Sequence, residues 1–282
     1  MKKKLLITLG CSYTEGVGAY SDDIEKPLTK KERKNDLIPQ SIYQLHRPNF
    51  HKEGWPIKLQ KLLGYDYCIN KGLGGSSTSG QAKRFIEKLE DYKNLQTEYD
   101  IFIFWLMTFP SRISFYTGGR VTDLLLGANT NTKFQTHPLM MEYFTFIENP
   151  DLDMCLEQIF YVKVINEICE KYGMNFLYGG FNNFITTNIQ LLAPELKDKA
   201  IDSEWDSLSK NLKPEHLSEI CDHPNAKGYT VMAENIFERI KSLHPHLVNS
   251  VPATDSSWIW DGNGKVYTAP DELYTNNRPR VK

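Results

Sequence analysis

Leu5-Leu6-Ile7-Thr8-Leu9-Gly10-Cys11-Ser12-Tyr13-Thr14-Glu15-Gly16 is an apolar run that stops on a glycine and hands over to a hydroxyl. Its first half predicts a buried strand over residues 4–9. A serine just beyond that strand has its hydroxyl at the carboxyl edge of a sheet, where open α/β folds bind ligands. A serine is inert until a base activates it, so the rest of the chain must supply one.

The elements around this strand repeat one pattern. Residues 54–63 open with Gly54-Trp55-Pro56 and carry helical apolar spacing, with Gly64 as the carboxyl-terminal cap. Tyr65–Ile69 reads as a second strand, and the turn 70–80, rich in glycine and hydroxyls, leads into a helix over Gln81–Leu89. Asp100–Met107 is apolar throughout, which predicts a central, parallel strand. A helix over 153–172 ends at Gly173, Met174–Tyr178 is a fourth strand, and Ala226–Leu243 is a final amphipathic helix. Strands alternating with helices give an α/β fold, with a parallel sheet covered on both faces.

The chain's 282 residues suit one large domain, 1–246, interrupted by polar insertions at about 19–52 and 110–150. The second insertion reads as a lid or a small subdomain. Residues 247–282 are a polar carboxyl-terminal extension. A net charge of −2 gives no footprint for nucleic acid or an anionic membrane. The five cysteines lack metal-ligand spacing and, being odd in number, do not form a complete disulfide framework. The apolar run after Met1-Lys2-Lys3-Lys4 is too short for a secretory signal, and no stretch is long enough to span a bilayer. A cytoplasmic location follows as the expectation. No cofactor or metal is expected: His244-Pro245-His246 has no cysteine or carboxylate at matching spacing.

The base comes from Cys221-Asp222-His223-Pro224-Asn225-Ala226-Lys227-Gly228-Tyr229. A histidine on a loop just before a helix can offer one ring nitrogen to a hydroxyl while a carboxylate orients the other. The turn Gly72-Leu73-Gly74-Gly75-Ser76 follows a strand, so it lies at the same sheet edge as Ser12. Its backbone N–H groups suit an oxyanion. It lacks the G-x-G-x-x-G spacing and the P-loop lysine that nucleotide binding requires.

Three of these blocks, in order, resemble those of the SGNH (GDSL) hydrolase family. Gly10-Cys11-Ser12-Tyr13-Thr14 is similar to its first block and Asn70-Lys71-Gly72-Leu73-Gly74-Gly75-Ser76 to its second. His223-Pro224-Asn225-Ala226-Lys227-Gly228-Tyr229 is similar to its fifth. The resemblance covers about residues 3–18, 54–110 and 157–240. It implies a flavodoxin-like three-layer α/β/α sandwich and hydrolysis of esters or thioesters. By the same resemblance Ser12 is the nucleophile, His223 the base, and the N–H groups of Ser12 and Gly75 oxyanion donors.

Two departures modify that picture. The third block's asparagine is missing from Trp105-Leu106-Met107-Thr108-Phe109-Pro110-Ser111-Arg112. Thr108 is the substitute oxyanion donor, and Arg112 can add charge that binds substrate. This strand–Trp–Thr–Arg pattern is similar to a divergent subgroup of phage and bacterial proteins. The family's acid, three residues before the histidine, falls on Ile220. Asp222 is the candidate in its place, with Glu219 or a backbone carbonyl as alternatives.

The expected activity is cleavage of a small O-acyl ester on a polar or carbohydrate substrate through an acyl-enzyme. The partner is then a small-molecule or glycan ester. A non-catalytic binding module on the same scaffold and an O-acyltransferase are the alternatives.

Overall fold

The computed structural model describes residues 2–20, 47, 49–108, 112–117, 120–125, 150–180, 189, 191–202, 210–218, 221, 223–249, 259–260 and 266–267. Much of both expected insertions, 21–46 and 126–149, therefore lies outside the described residues.

Along the chain run β1 (Lys3–Gly10), α1 (Ser12–Glu15), α2 (Trp55–Leu63), β2 (Tyr67–Gly72), α3 (Thr78–Glu87), α4 (Leu89–Leu95) and β3 (Tyr99–Leu106). Then come β4 (Arg112–Thr117), β5 (Arg120–Leu125), α5 (Pro150–Lys171), β6 (Asn175–Gly179), β7 (Ala200–Asp202), α6 (Ala226–Leu243), β8 (Ile259–Trp260) and β9 (Val266–Tyr267). The main sheet has the order β7-β6-β3-β1-β2-β8-β9. From β7 to β8 every pairing is parallel, and only β9 runs antiparallel. Its five-strand core, β2-β1-β3-β6-β7, has the flavodoxin-like order. The fold is thus α/β, with the chain reversing direction across the sheet between β1 and β3.

Strand geometry explains the layers. Successive side chains on a strand point to opposite faces. Leu6 on β1 and Phe102, Phe104 and Leu106 on β3 join one core with Trp55, Leu59 and Leu63 of α2 and Met232, Ile236 and Ile240 of α6. Leu5, Ile7 and Leu9 with Ile101, Ile103 and Trp105 face the other way. There they pack on Phe85 of α3, Tyr92 of α4 and Val162 and Ile165 of α5. The unbroken apolar runs in β1 and β3 are thus two interleaved half-patterns, one for each helical layer.

Local signals set the boundaries. Gly64 adopts a left-handed conformation (φ 71°), and its N–H closes α2 on Gln60 and Lys61. α3 begins at Thr78, three residues before the expected Gln81, because Ser77 Oγ accepts the Gly80 N–H at 2.9 Å and caps the helix there. The expected Gln81–Leu89 helix is also divided at Lys88, which caps the end of α3 and precedes the first residue of α4, Leu89.

Part of the second insertion is a β-hairpin. β4 and β5 pair antiparallel from Arg112↔Leu125 to Thr117↔Arg120. Ser114 Oγ lies 2.9 Å from Ser79 Oγ and accepts from Lys83 Nζ at 2.9 Å, which fastens the hairpin to α3. In the carboxyl-terminal extension, the Asn249 N–H donates to Leu63 O at 2.9 Å. Ile259 pairs with Cys68 and adds β8 to the edge of β2. No helix among the described residues is long and apolar enough to cross a membrane.

Trp55 is fully buried, and its ring meets Phe104 edge to face at 5.4 Å. Trp55→Ala should cost about 3–5 kcal/mol in a urea unfolding experiment. A loss below about 1 kcal/mol would show that α2 does not anchor this face.

Candidate active site

Ser12 is the first residue of α1, two positions beyond the end of β1. β2 ends level with it, since Gly72 is the register partner of Gly10. On the other flank Leu9 pairs with Trp105, so Thr108 emerges from β3 at the same edge. All three features stand at the carboxyl ends of adjacent parallel strands. The gap between β1 and β3 is the topological switch point, where this class of sheet opens a crevice.

His223 Nε2 lies 2.8 Å from Ser12 Oγ. The loop that holds His223 is a closed clip. Leu217 and Pro224 form an antiparallel bridge, the Ser218 N–H donates to His223 O at 2.9 Å, and the Asn225 N–H donates to His216 O at 2.9 Å. Asn225 closes the base of the clip: its Nδ2 donates to Glu215 O (2.8 Å) and Leu217 O (3.1 Å), and its Oδ1 accepts from the Gly228 N–H and caps α6. Asn225 thus fixes both the clip and the helix behind it.

The clip is pressed against the turn that follows α1. A Cβ on Gly18 would come within 2.5 Å of Pro224 O and 2.9 Å of His223 Cβ, and its φ of 105° excludes most other residues. Tyr229, buried in α6, donates its hydroxyl to Val17 O at 2.7 Å. The Tyr13 ring sits 4.6 Å from the His223 ring, tilted by 38°. Cys11, beside Ser12, is buried in the core that α2 and α6 cover.

The glycine turn is held by a buried polar chain. Trp105 Nε1 donates to Gln81 Oε1 (2.6 Å), Gln81 Nε2 to Ser76 Oγ (3.0 Å), and Ser76 Oγ to Gly10 O (3.1 Å). Asn70 adds a second tie, donating to Thr14 O (2.8 Å) and accepting from the Gly72 N–H (2.9 Å). Within the turn the N–H groups of Leu73, Gly74, Ser76 and Ser77 donate to Gly10 O, Glu15, Leu73 O and Asp123 respectively. The Gly75 N–H has no acceptor among the described residues. Gly75 is exposed and has a φ of 79°. Thr108 Oγ1 is fully buried and also has no partner there, while the Thr108 N–H faces Thr78 Oγ1 at 3.3 Å.

Asp222, Glu219 and Ile220 lie outside the described residues, so the expected acid is not placed. Arg112 opens β4, and its side chain is likewise outside the description. The most consequential residue to which sequence reasoning gave no role is Glu15. Its carboxylate is fully buried, paired with Arg47 Nε at 2.7 Å, and 3.9 Å from His51 Nε2. Its only sequence signal is its place three residues after Ser12.

No family model matches the chain, and no curated protein matches it. Among solved structures, an acetyl xylan esterase (Est2A) from the rumen bacterium Butyrivibrio proteoclasticus resembles it with a TM-score of 0.46 and 13% identity, over 86% of this chain and 64% of that one. A two-domain esterase (CEX) active on acetylated mannans, co-crystallised with mannopentaose, resembles it with a TM-score of 0.37 and 14% identity, over 91% of this chain and 54% of that one. The chain therefore spans less than two thirds of the length of either protein. Similarity at this level assigns neither a family nor a substrate.

Burial pushes the pKa of His51 down from 6.5 to about 4; Arg47 and Lys71 act in the same direction, against Glu15. Between those two values the unfolded chain carries a proton on this ring and the folded chain does not. Stability should therefore fall as pH drops from 6.5 towards 4, by on the order of 2–4 kcal/mol. Urea midpoints at pH 7 and pH 4.5 should separate less in His51→Gln than in the wild type. Equal separations would assign the acid sensitivity to another group.

Proposed function

We propose that the chain is a serine hydrolase of SGNH type that cleaves a small O-acyl ester on a polar or carbohydrate substrate. The observation that carries this reading is the 2.8 Å contact between Ser12 Oγ and His223 Nε2 at the switch point of the sheet. A nucleophile within hydrogen-bond reach of a base is the first geometric requirement of acyl transfer.

For Nε2 to accept the hydroxyl proton, the neutral imidazole carries its hydrogen on Nδ1. Ser12 Oγ attacks the ester carbonyl as His223 takes its proton. Asp222 is the group proposed to steady the imidazolium, with Glu219 or a backbone carbonyl as the alternatives. His223 then protonates the leaving alcohol, and water attacks the acyl-enzyme by the same route in reverse.

The oxyanion is stabilised by donors that the fold leaves unspent. The Ser12 N–H, first in α1, has no acceptor within that helix. The Gly75 N–H is the one amide of residues 73–77 without an internal acceptor among the described residues. Thr108 Oγ1 is a third donor, in the place where the SGNH family carries an asparagine. The Tyr13 ring beside His223 offers an apolar face on which a sugar ring can stack. Arg112 is proposed to bind substrate at the start of β4.

Ser12→Ala should abolish turnover of p-nitrophenyl acetate and labelling by a fluorophosphonate, with its circular dichroism unchanged. Equal turnover by the wild type and the variant would overturn the assignment. Loss of labelling in a wild type that folds normally would favour the binding-module alternative.

Thr108→Val separates stability from function. A buried hydroxyl without a partner carries a desolvation cost, so the variant should be as stable as the wild type or more so. Its kcat should fall by about 10²–10³-fold if Thr108 supplies an oxyanion donor. Unchanged kcat would remove Thr108 from the site.

A further inference from the structure

Two carboxylates grip the glycine turn from opposite sides. Glu15 Oε2 accepts the Gly74 N–H at 2.6 Å. Asp123 Oδ1 accepts the Ser77 N–H at 2.8 Å and the Ser77 hydroxyl at 2.6 Å. Each carboxylate has its own arginine, with Arg47 on Glu15 and Arg84 on Asp123. The Glu15 side chain is fully buried and that of Asp123 is 9% exposed, whereas both arginines keep more than a quarter of their side-chain surface in solvent. The two pairs share one design, a carboxylate inside and a guanidinium at the rim. They come from unrelated places, α1 and the β4–β5 hairpin.

The two grips bracket Gly75, whose amide lies between the held amides of Gly74 and Ser77. A charged acceptor makes a hydrogen bond roughly twice as strong as a neutral one, and a buried carboxylate keeps that strength. The turn is therefore fixed at both ends by charge-assisted bonds, and of the two amides between Gly74 and Ser77 that of Ser76 donates to Leu73 O while that of Gly75 has no acceptor among the described residues. Preorganised donors stabilise charge because they need no rearrangement as the reaction proceeds.

We propose that Glu15 and Asp123 are positioning residues that lock the glycine turn so that the Gly75 N–H is preset to receive an oxyanion. The hairpin is thereby part of the site's frame and not only a cover over it. This rests on the Ser12–His223 reading for its catalytic half, whereas the grip itself stands on hydrogen bonds alone.

The test pairs variants that keep an acceptor with variants that remove it. Glu15→Gln and Asp123→Asn retain an oxygen at the same reach; Glu15→Leu and Asp123→Ala do not. Hydrogen exchange of the peptide spanning 70–79 should accelerate at least about 10-fold in the second pair and only slightly in the first. With p-nitrophenyl acetate, kcat should fall by about 10–100-fold in the second pair, with KM and the pH midpoint of kcat/KM unchanged. A variant that merely loosened the fold would move KM and that midpoint together. If Glu15→Leu does not fold, the Asp123 pair carries the same comparison, because Asp123 lies on the hairpin, outside the main sheet.

Unchanged exchange in Glu15→Leu and Asp123→Ala would overturn the grip while leaving Ser12 and His223 untouched. Faster exchange with unchanged kcat would overturn its catalytic role. A wild type that turns over no ester overturns the hydrolase reading and the catalytic half with it, and the exchange result alone then decides the grip.

Discussion

α1 lies across the ends of two strands, and it can do so only because neither strand end carries a side chain there. A Cβ on Gly10 would come within 1.9 Å of Thr14 Oγ1, and one on Gly72 within 2.2 Å of the Glu15 N–H nitrogen. These separations are far inside van der Waals contact. With both glycines in place, the single turn of α1 settles onto β1 and β2, and three groups acquire their positions together. Ser12 is set at the switch point, Thr14 O meets Asn70, and Glu15 reaches Gly74. Either glycine replaced by a larger residue would lift the whole turn. The constraint is steric, and the polar contacts exploit the space it leaves.

Much of this architecture was legible in the sequence. β1 and β3 were visible as apolar runs because a central parallel strand is buried on both faces. Helix ends at Gly64 and Gly173 were visible because a left-handed residue there favours glycine. Ser12, Gly75 and His223 stood out because each sits just after a strand or just before a helix, where side chains and amides are free to act. The hairpin β4–β5 was not legible. Its residues have no clean alternation, and among the described side chains it is tied to α3 and its cap by polar contacts of Ser114 with Ser79 and Lys83 and of Asp123 with Ser77. Glu15 escaped for a related reason. A carboxylate in a first helical turn ordinarily reads as solvated and favourable to the helix, and only the tertiary approach of Arg47 and Gly74 shows that it is buried. Asn225, next to a recognisable histidine, likewise gave no sign that its amide would close the loop that holds that histidine.

The carboxyl-terminal extension acquires a definite place through β8. Residues 247–282 read as a polar extension, yet Ile259 pairs with Cys68 along the outer side of β2. An unpaired edge strand exposes a row of backbone donors and acceptors to any passing strand. A short stretch of the chain's own tail, with β9 turned back upon it, occupies part of that edge.

The 2.8 Å contact joins residues 211 positions apart in the chain. In chain order Ser12 follows β1 directly, and His223 comes only after every strand from β1 to β7. Loop closure over such a span is entropically costly, and it is offset only when α6 seats against α2 and Tyr229 reaches Val17. Assembly of the pair is therefore a report on the whole domain. A nascent, misfolded or partly unzipped chain holds the hydroxyl without its imidazole, so the pairing at Ser12 is complete only when the fold is.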